Sequence, residues 1–243
     1  MLRALNDGLF AEQHGATPAR VLALPGWMRP RADFRHVLDG YDALAVDLPG
    51  FGGASPEPAV ALDAAGYADA VTPALDACAR RVVVLGHSFG GRIAVNLAVG
   101  RPDRVAALVL TGVPRLVAPE RVPAPSTGFR VVRWFHRRGL VSDERMEALR
   151  RSRGSDDYRN ATGVMRDVLV IAVNEHYEDL LPRVTCPVEL VWGDDDTAAP
   201  VTVAERAMSL FGGPVALTIV PGAGHLTPLT AAPTLRAALD RHL

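Results

Sequence analysis

The sequence predicts an α/β fold, with a mainly parallel sheet covered on both faces by helices. Three observations lead there. Short apolar runs alternate with longer stretches suited to helices; the runs are apolar at consecutive positions; and Gly or Pro punctuates the ends of most of them. A strand that is apolar at consecutive positions buries both of its faces, as in parallel sheets flanked by helices.

In chain order, strands are expected at Arg20–Leu24, Ala43–Val46, Val82–Leu85, Val105–Leu110, Val188–Trp192 and Ala216–Val220. A weaker strand signal precedes them around Gly8–His14. Crossover helices are expected near 63–79, 90–100, 201–211 and 232–242. Pro73 should kink the first of these or delay its start, because proline has no N–H and clashes with the preceding turn.

From Pro114 to about Pro182 the alternation stops, and the pattern is helical with polar breaks. Residues 129–138 place Arg130, Arg133 and Arg137 on one helix face and Phe129, Val132 and Phe135 on another. Gly139 suits a C-terminal cap. Ser142 before Asp143 and Glu144 suits a helix start with acids in its first turn. A third helix is expected within Thr162–Asn174. Residues 114–183 are therefore expected to form a helical cap inserted into a core built from 1–113 and 184–243.

The bulk numbers exclude several function classes. The 243 residues are 49% hydrophobic and 22% charged, ordinary for a globular chain with one sizeable core. A net charge of −1 gives no electrostatic case for nucleic-acid binding. Every basic residue is Arg, which coding composition explains without a special function. Cys78 and Cys186 are too few for a disulfide framework and lack metal-ligand spacing, so both are expected to be buried small apolar residues. The N-terminus lacks the apolar core of a signal peptide. No run reaches the roughly 18 apolar residues of a membrane span, so a cytoplasmic location is the default expectation. No His/Cys/acid cluster suggests a metal, and no glycine motif suggests a nucleotide; cofactors are expected to be none.

The most informative stretch is Val82-Val-Val-Leu-Gly-His-Ser-Phe-Gly-Gly91. Gly86-x-Ser88-x-Gly90 follows a β-branched strand and precedes the helical run Gly91–Val99. A very tight strand-to-helix turn projects the serine from a strained backbone, and glycines on either side leave room for neighbouring elements. The new helix aims its first amides where negative charge develops. Alone such a string is weak; between a strand and a helix it marks Ser88 as a nucleophile.

GHSFGG resembles the nucleophile elbow of the α/β-hydrolase superfamily, and the similarity covers most of the chain. Leu24-Pro-Gly-Trp27 resembles the oxyanion-loop segment after the third strand, and Asp47-Leu-Pro-Gly-Phe-Gly52 the turn after the fourth. Trp192-Gly-Asp-Asp-Asp196 resembles the acid loop, and Pro221-Gly-Ala-Gly-His225 the histidine loop. The resemblance implies a serine hydrolase, esterase-like, with a helical cap.

A serine hydroxyl needs an adjacent base. Of seven histidines, His225 alone lies in a glycine-rich loop just past a late apolar strand, where a parallel sheet presents its active edge. His87 reads instead as a packed or hydrogen-bonded supporting residue. The base needs a carboxylate to hold one tautomer. Asp194, Asp195 and Asp196 are all placed for it, and the resemblance selects Asp196. Some relatives put the acid after the sixth strand, but Leu110-Thr-Gly-Val-Pro114 offers no carboxylate there. The resemblance further implies backbone N–H groups of Trp27 and Phe89 as the oxyanion hole. Pro25 stands where many relatives have His, which weakens any subfamily assignment that depends on that histidine.

Trp27, Phe129, Trp134 and Phe135 are the candidate pocket residues, favouring an apolar acyl or alcohol group. Arg only slightly outnumbers Asp plus Glu across 115–183, too little to predict an anionic substrate. The expected reaction is carboxylic-ester hydrolysis through an acyl-enzyme on a small-molecule substrate. The same triad also serves C–C bond hydrolysis, thioester hydrolysis or a proton-abstracting elimination. A non-catalytic ligand-binding protein that retains an unused triad is the reading from another class.

Overall fold

Eight strands lie in one sheet in the order β1-β2-β4-β3-β5-β6-β7-β8 in the computed structural model. It describes residues 1–5, 8–118, 134–136, 138, 141–142, 145–146 and 156–243. The strands are β1 (Leu2–Ala4), β2 (Phe10–His14), β3 (Ala19–Leu24), β4 (Ala43–Asp47), β5 (Cys78–His87), β6 (Val105–Thr111), β7 (Val188–Gly193) and β8 (Val215–Val220). β1 and β2 are antiparallel to each other, and β2 to β4; all remaining pairings are parallel.

Successive strand residues point to opposite faces, and this sorts the apolar runs into two cores. Leu22, Leu24, Leu44, Val46 and Val84 join one core with α2 (Ala64–Ala70), α4 (Phe89–Gly100) and α7 (Val201–Met208). Their neighbours Val21, Ala23, Ala43, Ala45, Val83 and Leu85 join the other, with α1 (Arg35–Leu38) and α8 (Ala232–Asp240). Every residue of β4 and β7 is buried, whereas β8, at the sheet edge, is only half-buried. The predicted doubly covered, mainly parallel sheet is what the chain forms.

The helix expected over 63–79 is two short ones, α2 and α3 (Thr72–Asp76), broken at Val71. Pro73 sits in the first turn of α3, where its missing N–H costs nothing. The carboxylate of Asp63 caps α2 by accepting the Gly66 N–H at 2.7 Å. β5 consequently begins at Cys78, earlier than the expected Val82. Cys78 is buried and Cys186 half-buried, and both are free thiols. Burial pushes the Cys78 thiol up to about 12, so it stays protonated and unreactive.

Between β6 and β7 the described elements include helices α5 (Asp156–Asn160) and α6 (Gly163–Ala172), the latter matching the expected Thr162–Asn174. Residues 134–136 are helical, and Ser142 Oγ accepts the Arg145 N–H at 3.4 Å, as a helix start requires. Phe129, Arg130, Val132, Arg133, Arg137, Gly139, Asp143 and Glu144 lie outside the described residues. Arg92, buried on α4, ties the start of this interval to the end of α6: its Nε donates to the Pro114 carbonyl at 3.2 Å and its Nη1 to the Ala172 carbonyl at 2.5 Å. Among the described residues no helix is long and apolar enough to cross a membrane.

Candidate active site

Ser88, Asp196 and His225 follow β5, β7 and β8, and Trp27 follows β3, so all four sit at the C-terminal edge of the parallel strands. Loops at that edge converge because parallel strands all deliver their connections to the same side.

The serine turn is tight enough to fix its glycines. Ser88 itself has φ 52 and ψ −114, a conformation that costs a non-glycine residue about 1–3 kcal/mol. Its N–H donates to the Thr111 carbonyl at 2.9 Å and its carbonyl accepts the Gly91 N–H at 3.1 Å, so the strain is held from both sides. A Cβ on Gly90 would lie 2.1 Å from the Leu24 carbonyl oxygen, and one on Gly86 would lie 2.6 Å from the Gly91 Cα. No side chain fits at either position.

His225 Nε2 lies 3.0 Å from Ser88 Oγ, and His225 Nδ1 lies 2.8 Å from Asp196 Oδ2. Asp196 Oδ1 accepts the N–H groups of Ala199 at 2.8 Å and Ala198 at 2.9 Å. Burial alone would raise the Asp196 carboxyl, but bonds from His225 and these two amides outweigh it and hold the group below the usual carboxylate range. An ionised carboxylate can only accept, so Nδ1 carries the proton and Nε2 keeps the lone pair that faces the serine hydroxyl. The arrangement can withdraw a proton from Ser88 and stabilise the imidazolium that results.

The other candidate acids have different employment. Asp194 Oδ1 accepts the Gly222 N–H at 2.6 Å, which ties the acid loop to the turn that opens the histidine loop. Asp195 is exposed. Gly112, in the segment that offered no carboxylate, lies directly against the site. A Cβ there would fall 3.1 Å from Asp196 Oδ2 and 3.2 Å from His225 Nδ1, and its φ is +55. A glycine at the end of the sixth strand was the available sequence signal for that close approach.

Phe89 is the first residue of α4, so its N–H has no partner within the helix. Trp27 occupies a turn closed by the Arg29 N–H to the Gly26 carbonyl at 3.1 Å, with Met28 at φ 52; the Trp27 N–H takes no part in that bond. A Cβ on Gly26 would lie 3.2 Å from the Ser88 Cβ, so this loop presses on the nucleophile. The Trp27 indole packs edge-on against Phe51 and Phe89, with centroids 5.0 and 5.8 Å away. It also borders a cleft of about 310 Å³ whose lining includes Met28, Glu57, Asn160, Thr162 and Met165. Trp134 and Phe135 are exposed and stack edge to face on each other, with the Arg138 guanidinium over the indole; they are not among the described residues lining that cleft. Phe129 lies outside the described residues. Among the described residues no group of three or more His, Cys, Asp or Glu could hold a metal ion.

His87 is buried at 1% exposure and places Nε2 2.9 Å from the His225 carbonyl oxygen. Burial, then the proximity of His225, push its imidazole down to about 4. It is therefore neutral, and Nε2–H is the donor.

Comparison with known proteins extends these findings. A family model described as the alpha/beta hydrolase family matches residues 21–238. A 2-hydroxy-6-oxononadienedioate/2-hydroxy-6-oxononatrienedioate hydrolase from a Pseudomonas species is 27% identical over 238 residues, covering 90% of this chain and 82% of that protein. A pimeloyl-(acyl-carrier protein) methyl ester esterase from Neisseria meningitidis is 30% identical over 206 residues, covering 76% of this chain and 78% of that one. Among solved structures, an esterase from Exiguobacterium antarcticum superposes with a TM-score of 0.72 at 21% identity, covering 99% of this chain and 97% of that chain.

Proposed function

The chain belongs to the alpha/beta hydrolase family, and from that premise we propose that it is a serine hydrolase cleaving a carboxylic ester through an acyl-enzyme. The observation that carries the proposal is the hydrogen-bonded line from Ser88 Oγ through His225 to Asp196, with 3.0 and 2.8 Å links. Ser88 attacks the ester carbonyl as His225 Nε2 takes its proton. The tetrahedral oxyanion is held by the N–H groups of Trp27 and Phe89, where one such donor is worth about 3–4 kcal/mol. His225 returns the proton to the departing alcohol, and the acyl group stays on Ser88. Water, deprotonated by the same imidazole, releases the acid.

In this reading residues 114–183 form a cap over the site, with Ala161 and Met165 facing Trp27 across the cleft and supplying apolar surface to an acyl or alcohol group. The cleft beside Trp27 mixes Met165 with Glu57 and Asn160. That lining supports a small-molecule ester with a polar group as well as an apolar one.

A second reading has its own support. The relative from the Pseudomonas species is named a hydrolase of a hydroxy-oxo-dienedioate, a compound with no ester whose hydrolysis would have to break a C–C bond, and the same serine, histidine and aspartate can serve such a reaction. Thioester hydrolysis or elimination would use the same groups.

Fluorophosphonate labelling of the wild type and of Ser88→Ala, followed by steady-state turnover of graded acyl esters, tests the proposal. Labelling that disappears in Ser88→Ala, with turnover of at least one ester, is the expected result. Labelling with no ester turnover, but turnover of a vinylogous diketone, would replace the ester reading by the second one. No labelling of well-folded wild type would favour a non-catalytic binding protein.

A further inference from the structure

Ser88, Asp196 and His225 leave one buried imidazole beside the site unexplained. His87 immediately precedes the nucleophile, yet its ring turns away from solvent and toward two other loops. On one side its Nε2–H donates to the main-chain carbonyl of His225 at 2.9 Å. On the other, its Nδ1 edge meets the oxyanion loop, where a Cβ on Gly26 would fall 2.9 Å from Nδ1 and 3.1 Å from Cε1. The His87 and His225 ring centroids are 5.1 Å apart, and both ring nitrogens of His225 are engaged by Ser88 and Asp196, so the two imidazoles do not exchange a proton directly.

Resting on the serine-hydrolase reading above, we propose that His87 is a positioning residue: it clamps the backbone of His225 and fills the space against Gly26, fixing base and oxyanion loop to the nucleophile turn. The need for such a clamp follows from the loop it holds. His225 sits in Pro221-Gly-Ala-Gly, where Gly222 has φ +69 and a Cβ on Gly222 or Gly224 would meet nothing within 4 Å. The acid loop ties this stretch as far as Ala223, through the Gly222 N–H to Asp194 at 2.6 Å and the Asp195 N–H to the Ala223 carbonyl at 3.0 Å; the carbonyl of His225 itself is held by His87. Asp196 fixes the ring through Nδ1; His87 fixes the backbone from which the ring hangs. The two constraints together set the 3.0 Å approach of Nε2 to Ser88 Oγ.

The clamp needs an N–H at the Nε2 position and a side chain of that length. A glutamine amide nitrogen reaches the same place; leucine fills similar space without a donor. His87→Leu should lower kcat on the order of ten- to a hundredfold while leaving KM within about twofold, since the substrate pocket is untouched. His87→Gln should recover most of the loss. A role in packing alone would make the two variants equal, or would order them by melting temperature, and either result would overturn the proposal. A second readout needs no substrate: the downfield proton signal of His225 Nδ1–H bonded to Asp196. It should persist in the wild type and His87→Gln and broaden in His87→Leu. Unchanged in His87→Leu, it would also overturn the clamp, even in a protein that turned over no ester. Failure of Ser88 labelling would instead strike at the hydrolase reading, so the two failures are told apart.

Discussion

Asp196 gives one carboxylate oxygen to His225 Nδ1 at 2.8 Å and the other to two consecutive amides, Ala198 and Ala199. The acid is thus satisfied at both oxygens and cannot swing away from the base without losing three bonds. Replacing it by asparagine keeps the volume and the shape but removes the charge that stabilises the imidazolium. Asp196→Asn is expected to cut kcat by roughly ten-thousand-fold with a melting temperature close to wild type. Steady-state kinetics beside a thermal melt check this. Activity within tenfold of wild type would show that Asp194 or Asp195 serves as the acid.

Gly26 should tolerate no side chain, although it is not in a left-handed conformation. An alanine Cβ would meet His87 Nδ1 at 2.9 Å and Ser88 Cβ at 3.2 Å, so the oxyanion loop must retreat from the nucleophile. Gly26→Ala is expected to lower kcat/KM roughly ten- to a hundredfold. Gly100→Ala is the control, because nothing lies within 4 Å of its Cβ, and it should leave activity unchanged.

His87 also makes stability depend on pH. Its imidazole is at about 4 in the folded chain against an ordinary 6.5, so the unfolded chain binds the proton more readily. Its contribution is fully present above 6.5 and is lost as pH falls toward 4, amounting to about 3 kcal/mol across that window. Asp196, also held low, adds to the loss at still lower pH. Urea midpoints from pH 7 to 4 should fall steeply in the wild type and more gently in His87→Gln, which lacks this buried imidazole.

Arg92 is expected to matter for stability rather than chemistry. Removing its guanidinium leaves the buried Ala172 carbonyl and the half-buried Pro114 carbonyl without this donor, and an unsatisfied buried acceptor costs about 1–3 kcal/mol. Arg92→Met should therefore unfold at clearly lower denaturant, with Arg92→Lys recovering part of the difference. Equilibrium denaturation measures both.

The central strands β3 to β7 were legible because each carries a run that is apolar on two faces, and the reacting residues were legible because strand ends confine them to a few loops. Ser88 and His225 stood out on those grounds; the choice among three adjacent aspartates needed the family resemblance. β1 was invisible: Leu2–Ala4 is three residues, mostly exposed, with no apolar pattern to read. The break at Val71 was hidden because the residues around it suit a continuous helix and only Pro73 hinted otherwise. Arg92 left a signal that could have been used, a lone charge inside the otherwise uncharged Phe89–Gly100. His87 read as a packed or hydrogen-bonded supporting residue, but the groups its ring would meet left no signal, since its direction is set by a turn whose torsions no spacing rule reports.

The stretch from Trp192 to Ala199 is closed on itself. The Trp192 indole N–H donates to the Ala199 carbonyl at 2.6 Å, and the Ala199 amide returns a bond to Asp196 at 2.8 Å. Asp195 and Thr197 stand exposed between these fixed points. A cysteine at either position would carry a spectroscopic reporter a residue away from Asp196, anchored to a rigid platform, so that substrate arrival could be followed by light rather than by product.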